Sequence, residues 1–497
     1  MQDGRSHQCS SSAKAATPVM WWRDAVIYQI YPRSFQDSDG DGIGDLQGIE
    51  RRLDHLAWLG VDALWLSPIY PSPMHDFGYD VADYKDVDPV FGSLEQFDSL
   101  VVAARERGLR VLMDVVPCHT SIEHPWFRDH PDWYIWAERP NNWVAAFGGS
   151  AWSELNGRHY LHSFYPEQPD LDWRNPELIA AMQDALRFWI ERGIAGYRVD
   201  AIDRLLKDQE LRDDPPAAEP FALPLHEEAM KLAGTHSRNA PDIGTALAKI
   251  REAVGNRLLV GEVYLPSAEW QPYLEHLDAA FAFELLHAPW DADRMRAAIE
   301  ASTRRPGAAW VLSNHDFGRL ATRFGPENAR AAALLLLTLP GPAFLYQGDE
   351  IGLGDAPAGG PSQDRYGRDR FRHPMQWEGS PSGGFTTGEA WLAPVDPERT
   401  NVEDQRDDPQ STLALVRDLL TVRRLLGDEL ELLDAEPGVL AYRRGDHTIA
   451  INTGPEERNA PLGDELVLET VAGAWRGGTL AAHSGVITRS GAGVRQE

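Results

Sequence analysis

Two cysteines in 497 residues, Cys9 and Cys118, exclude a disulfide framework. Cys and His nowhere fall at the spacing of a zinc site. Neither a glycine-rich phosphate loop nor a GxSxG nucleophile elbow is present. No run of about 18 apolar residues exists to span a membrane. The first 20 residues, rich in Ser, Ala and Gln, lack the apolar stretch of a signal peptide and are read as a disordered tail, with Met20 as an alternative start. The cytoplasm is therefore the expected compartment. Positive charge is also scarce. Forty-seven Lys and Arg stand against 76 Asp and Glu, a formal charge of −29 that argues against nucleic-acid or anionic-membrane partners.

What is present is concentrated in four short segments: DVVPCH (Asp114–His119), GYRVDAID (Gly196–Asp203), GEVY (Gly261–Tyr264) and SNHD (Ser313–Asp316). Each is an apolar or β-branched run that stops on charged or His side chains. A strand buried on both faces reads as such a run, and charged groups are almost never wholly buried unless paired. A strand ending on a carboxylate therefore delivers it to a cleft. Four such strands predict an α/β fold of the (β/α)8 TIM barrel type, whose strand ends surround one active site. The residue types then narrow the chemistry. Asp200, Glu262 and Asp316 are three carboxylates with His119, His315 and Arg198 in the same motifs. A carboxylate nucleophile and a carboxylic proton donor are what retaining glycoside hydrolysis uses.

Along the chain, DAVIYQIYPRSF, VDALWLSP, LRVLMDVV, GYRVD, RLLVGEV, AAFAFEL, AAWVLSNHD and GPAFLYQGDE read as eight barrel strands. Trp-, Pro- and Asn-rich sequence with weak periodicity interrupts them between the third and fourth. The domain layout expected is a tail at 1–20, a barrel at 21–116 and 175–426, an inserted loop-rich B domain at 117–174, and a C-terminal antiparallel β-sandwich at 427–497.

The four segments resemble, in order, the signature regions of the alpha-amylase superfamily of glycoside hydrolases, and the similarity runs from about Trp21 to the C-terminus. The resemblance implies Asp200 as nucleophile, Glu262 as general acid/base and Asp316 as transition-state stabiliser. It implies substrate contacts from His119, His315 and Arg198, with Arg198 holding the Asp200 pKa down. Cys118 stands where the family usually has Asn, a departure that bears on a metal site of longer amylases rather than on catalysis.

Three further motifs refine this reading. In DSDGDGIGDLQG, the carboxylates Asp37, Asp39, Asp41 and Asp45 can wrap a hard cation. In similar loops of relatives the ion is calcium, with a backbone oxygen at the position of Ile43, so a structural Ca2+ is expected. GYD offers Tyr79 as an aromatic platform and Asp80 as an acceptor, and FRHPMQW resembles the family's RTPMQW element, whose Arg would here be Arg372. An Asp80–Arg372 pair would grip a terminal glucose and close the pocket behind it. QPDLDW (Gln168–Trp173) resembles the QPDLN signature of the oligo-1,6-glucosidase branch. Relatives favouring α-1,6 bonds usually carry Val after the nucleophile and those favouring α-1,4 bonds Ala or Thr; Ala201 points to α-1,4 bonds. The resemblance thus implies an exo-acting alpha-glucosidase on short oligosaccharides, while the balance of hydrolysis and transglucosylation is left open by the sequence; a monomer or homodimer is expected. The alternatives are an oligo-1,6-glucosidase and a glucosyl isomerase of the sucrose or trehalose type.

Overall fold

A computed structural model describes residues 20–217, 227–359 and 362–490. The expected tail lies outside them except for Met20, as do the last seven residues of the C-terminal domain. Eight parallel strands form a closed barrel: β1 (Val26–Ile30), β2 (Ala63–Leu66), β3 (Arg110–Val115), β4 (Gly196–Val199), β5 (Leu258–Gly261), β6 (Ala279–Phe281), β7 (Ala308–Val311) and β8 (Ala343–Tyr346). Each strand pairs with its neighbours in sequence, and β1 closes on β8 with Val26 opposite Ala343.

The apolar runs follow from burial of both strand faces. Ile27, Trp65, Leu112, Val260, Phe281, Val311 and Phe344 fill the barrel interior. Their neighbours Tyr28, Leu64, Val111, Leu259, Trp310 and Leu345 pack outward into the larger core shared with the helices. Burying alternate residues on opposite sides leaves no exposed face to carry polar side chains. Helix Leu94–Glu106 shows the local grammar: Ser93 caps it, and Gln96 completes a reciprocal capping box before the buried Phe97, Leu100, Val101 and Ala104. GIERRLDHLAWLG, an apparently continuous amphipathic stretch, is instead two helices, Leu46–Arg51 and Leu53–Leu59, broken at Arg52.

Between β3 and β4 a small antiparallel sheet forms from Trp136–Ala137, Arg158–Leu161 and Trp152–Leu155. Bridges between His119 and Asp170 and between Tyr134 and Leu171 bring the two ends of this insertion together over the barrel mouth. At the C-terminus, β9 (Glu431–Leu433), β10 (Val439–Arg444), β11 (His447–Asn452), β12 (Glu465–Glu469) and β13 (Ser484–Arg489) make an antiparallel sheet in the order 9-10-11-13-12. A three-stranded sheet packs on it through Val439, Ala441, Ala450, Val486 and Leu480. No helix among the described residues is long and apolar enough to cross a membrane.

Candidate active site

The functional side chains leave the barrel at the C-terminal ends of its strands. Arg198 lies within β4, Asp200 just beyond it, Glu262 directly after β5, and Asp114 near the end of β3. All four converge. The Arg198 Nη1 donates to Asp200 Oδ1 at 2.6 Å and to Asp114 Oδ1 at 2.9 Å, and Nη2 lies 2.5 Å from Glu262 Oε1. Glu262 also accepts from the Tyr264 hydroxyl at 3.0 Å and from the Ala201 backbone N–H at 3.1 Å. One guanidinium cannot balance three carboxylates. Burial, and behind it the charges of Glu262 and Asp114, push the Asp200 carboxyl well up against the pull of Arg198. Burial likewise pushes Asp114 up to about 6. Arg198 does pull the Asp200 carboxyl down, as expected, but burial outweighs it.

Ala201 takes up a left-handed conformation, φ 41° and ψ 42°, uncommon for a residue with a Cβ. It is buried, and it meets the site through its N–H to Glu262. Ala201 is not among the residues that line the cavity.

On the opposite side, Asp316 accepts from Arg372 Nη2 at 2.8 Å and Arg368 Nη1 at 3.0 Å, with His315 Nε2 3.3 Å from its second oxygen. Burial alone would push the carboxyl up, but His315, Arg368 and Arg372 hold it well below the usual range. Burial in turn lowers the His315 pKa well below its ordinary value, against the pull of Asp316. The His315 ring stacks on Tyr79 at 5.2 Å between centroids, and its Nδ1 meets Gln29 at 2.8 Å. His119 Nε2 lies 3.1 Å from the Tyr79 carbonyl and 3.0 Å from Gln168 Nε2.

The Asp80–Arg372 pair is not formed. Asp80 is spent within its own turn, accepting from Ser72 Oγ at 2.8 Å, His75 N at 2.8 Å and Asp76 N at 3.0 Å. Arg372 is wholly buried behind Asp316, where its Nε also donates to the His315 carbonyl. The residues that pair at the pocket lie four positions earlier in the chain, ahead of both motifs. Arg368 Nη2 reaches Asp76 Oδ1 at 2.5 Å and Asp364 Oδ1 at 2.6 Å, and both Asp76 and Arg368 line the cavity. The cause is the turn itself, where Met74, Phe77 and Gly78 all have positive φ. The motifs single out neither Asp76 nor Arg368; which acid and which arginine face inward depends on that backbone path.

Cys118, His119 and Asp170 place potential ligand atoms within 4.8 Å of one another, but a cation of the chain already sits there. Lys207 Nζ lies 2.5 Å from Asp170 Oδ2 and 3.7 Å from Cys118 Sγ. The Lys207 ammonium thus supplies the positive charge beside Asp170. Near the start of the chain, Asp37, Asp39 and Asp45 bring carboxylate oxygens within 4.8 Å of one another. An all-oxygen donor set of this kind fits a hard cation. Asp41, expected as a fourth ligand, stands outside that group and accepts from the Ile43 N–H at 2.8 Å.

The cavity is completed by Tyr264, from the GEVY segment, and by Phe147, Phe164, Tyr366 and Arg204, which the sequence motifs do not single out. Residues 29–427 match the family described as alpha amylase, catalytic domain. The chain is 38% identical over 488 residues to a probable alpha-glucosidase of Rhizobium meliloti (strain 1021), covering 85% of this chain and 87% of that protein. It is 32% identical over 535 residues to the oligo-1,6-glucosidase of Parageobacillus thermoglucosidasius, covering 91% and 93%. The solved structure of an alpha-glucosyl transfer enzyme superposes with a TM-score of 0.88 at 37% identity, over 94% of this chain and 99% of that one. With its carboxylates at the ends of β3, β4, β5 and β7 of a closed parallel barrel, the chain belongs to the alpha-amylase family and is a glycoside hydrolase.

Proposed function

We propose that this enzyme is a retaining, exo-acting alpha-glucosidase that releases glucose from the non-reducing end of short alpha-glucosides, with α-1,4 bonds favoured. The observation that carries the reading is the Asp76–Arg368 ion pair, 2.5 Å long and held in the pocket wall by Asp364 and Asp316. Such a pair offers fixed donors and acceptors to the hydroxyls of a terminal sugar and bars a longer chain from passing. It takes the role that the sequence assigns to Asp80 and Arg372.

Asp200 attacks the anomeric carbon while Glu262 protonates the leaving oxygen, and Glu262 then acts as base on water. Their common contact with Arg198 keeps the two carboxyls close, as a covalent intermediate requires. Ionised Asp316, with His119 and His315, grips sugar hydroxyls more tightly as oxocarbenium character develops, which is binding directed at the transition state. The preference for α-1,4 bonds rests on the identity of Ala201. Asp37, Asp39 and Asp45 would hold a structural calcium ion, with no part in the chemistry.

The test is the product pattern from maltotetraose. Early glucose and maltotriose support exo action; early maltose in excess of glucose overturns it. Maltose, isomaltose and sucrose, compared by rate and product, separate the linkage readings: faster cleavage of isomaltose favours an oligo-1,6-glucosidase, and an isomeric disaccharide favours a glucosyl isomerase.

A further inference from the structure

Glu262 has two opposite tasks, and one of its partners suits both. Its side chain meets Arg198 Nη2 at 2.5 Å, the Ala201 N–H at 3.1 Å and the Tyr264 hydroxyl at 3.0 Å. A guanidinium and an amide N–H only donate, whereas a hydroxyl donates or accepts as its hydrogen turns. Of these three partners, Tyr264 alone can follow a change in the proton state of Glu262.

Sequence and packing together fix the hydroxyl there. Tyr264 stands two positions after Glu262, the spacing that brings side chains of an extended chain to one face, and both line the cavity. Its ring stacks on Phe283, with 4.5 Å between centroids and planes 12° apart. Its carbonyl accepts from Arg238 Nη1 at 3.1 Å, so the backbone is held as well as the ring. Burial, with the charges of Glu262 and Asp316 behind it, pushes the phenol pKa well above its ordinary value. The hydroxyl therefore keeps its hydrogen.

The demand on it comes in the second half of the reaction. In the first half, the Glu262 proton passes to the leaving oxygen as Asp200 bonds to the anomeric carbon, and Glu262 is left as a carboxylate. In the second, water attacks that carbon, the bond to Asp200 breaks, and a proton of the water goes to Glu262. Between the two, Glu262 must stay ionised, and a hydrogen bond to the charged form favours that form. We propose that Tyr264 is a positioning residue for the general-base step: its hydroxyl donates to the ionised Glu262 of the glucosyl-enzyme and so speeds hydrolysis of that intermediate. This rests on the glucosidase reading and adds to it a residue that acts on one half-reaction more than the other.

The test is Tyr264→Phe, which keeps the stack on Phe283, assayed on dinitrophenyl alpha-glucoside, whose leaving group needs no proton. Its kcat should fall about tenfold or more, the loss expected of one hydrogen bond to a charged group. KM should fall in step, so that kcat/KM changes by less than about threefold. A burst of dinitrophenolate equal to the enzyme should precede the slow phase. Azide, an anion that needs no general base, should restore kcat and yield alpha-glucosyl azide. A parallel loss of kcat and kcat/KM overturns the proposal, and so does a wild-type kcat. Should the Phe variant fail to fold, Tyr264→His, whose ring ends short of the hydroxyl position, is read by the same split. Failure of the unmodified enzyme to release glucose from maltose would instead overturn the glucosidase reading.

Discussion

Two groups of carboxylates in this molecule look alike in sequence and are balanced in opposite ways. In the loop after β1, Asp37 accepts from the backbone N–H groups of Asp39, Gly40 and Gly42 at 2.8–2.9 Å, and Asp45 caps a helix through Gly48 N at 2.7 Å. Asp39 there is exposed, and water and amide dipoles suffice. At the barrel mouth, Asp114, Asp200, Glu262 and Asp316 face guanidiniums. Exposure alone does not make the difference, since Asp37 is only 4% exposed and Asp200 7%. The partners do: backbone amides of its own loop satisfy Asp37, whereas the barrel-mouth carboxylates meet formal positive charge. In the cluster with only one arginine, Asp200 is pushed up; in the one with two, Asp316 is held down.

The sharpest way to separate the two groups is Asp200→Ala. Removing the nucleophile should lower kcat by about 10⁴-fold or more. Because Asp200 is one of three carboxylates crowded on Arg198, the melting temperature should hold or rise. An active variant would sink the assignment of the nucleophile.

Arg368→Met should have the next largest effect. It strips a partner from Asp76, Asp364 and Asp316 and removes donors from the terminal sugar. The expected loss of transition-state binding is on the order of 2–4 kcal/mol, roughly 30- to 1000-fold in kcat/KM for maltose. Release of maltose from maltotetraose should appear in the same variant; an unchanged product pattern would deny the wall its role.

The smallest effect belongs to the other cluster. A chelator, or Asp37→Asn, should lower the melting temperature by about 2–4 °C for each kcal/mol of lost metal binding, with kcat on the folded enzyme unchanged. Loss of activity without a thermal shift would move the ion into the catalytic centre and erase the contrast.

The barrel was legible because its signals are local. A strand buried on both faces must be apolar at successive positions, and VIYQI, ALWL, LLVG and AFLY say so within four or five residues. Carboxylates at the ends of such runs were legible for the same reason, and Asp200, Glu262 and Asp316 do meet one cavity. The boundary at Arg52 was not, because the apolar period passes through it unbroken.

Residue types, strand order and the presence of catalytic carboxylates thus belong to the sequence by itself. Tertiary structure alone decided which acid and which arginine face each other. Asp76 and Arg368 are 292 residues apart, and their encounter depends on a turn in which Met74 and Phe77 take positive φ, a conformation their residue types rarely adopt. It also decided that Lys207 is the cation beside Asp170 and that burial outweighs Arg198 at Asp200. Each is a balance of charge against desolvation, set by every group within a few ångströms, and chain order does not reveal those neighbours.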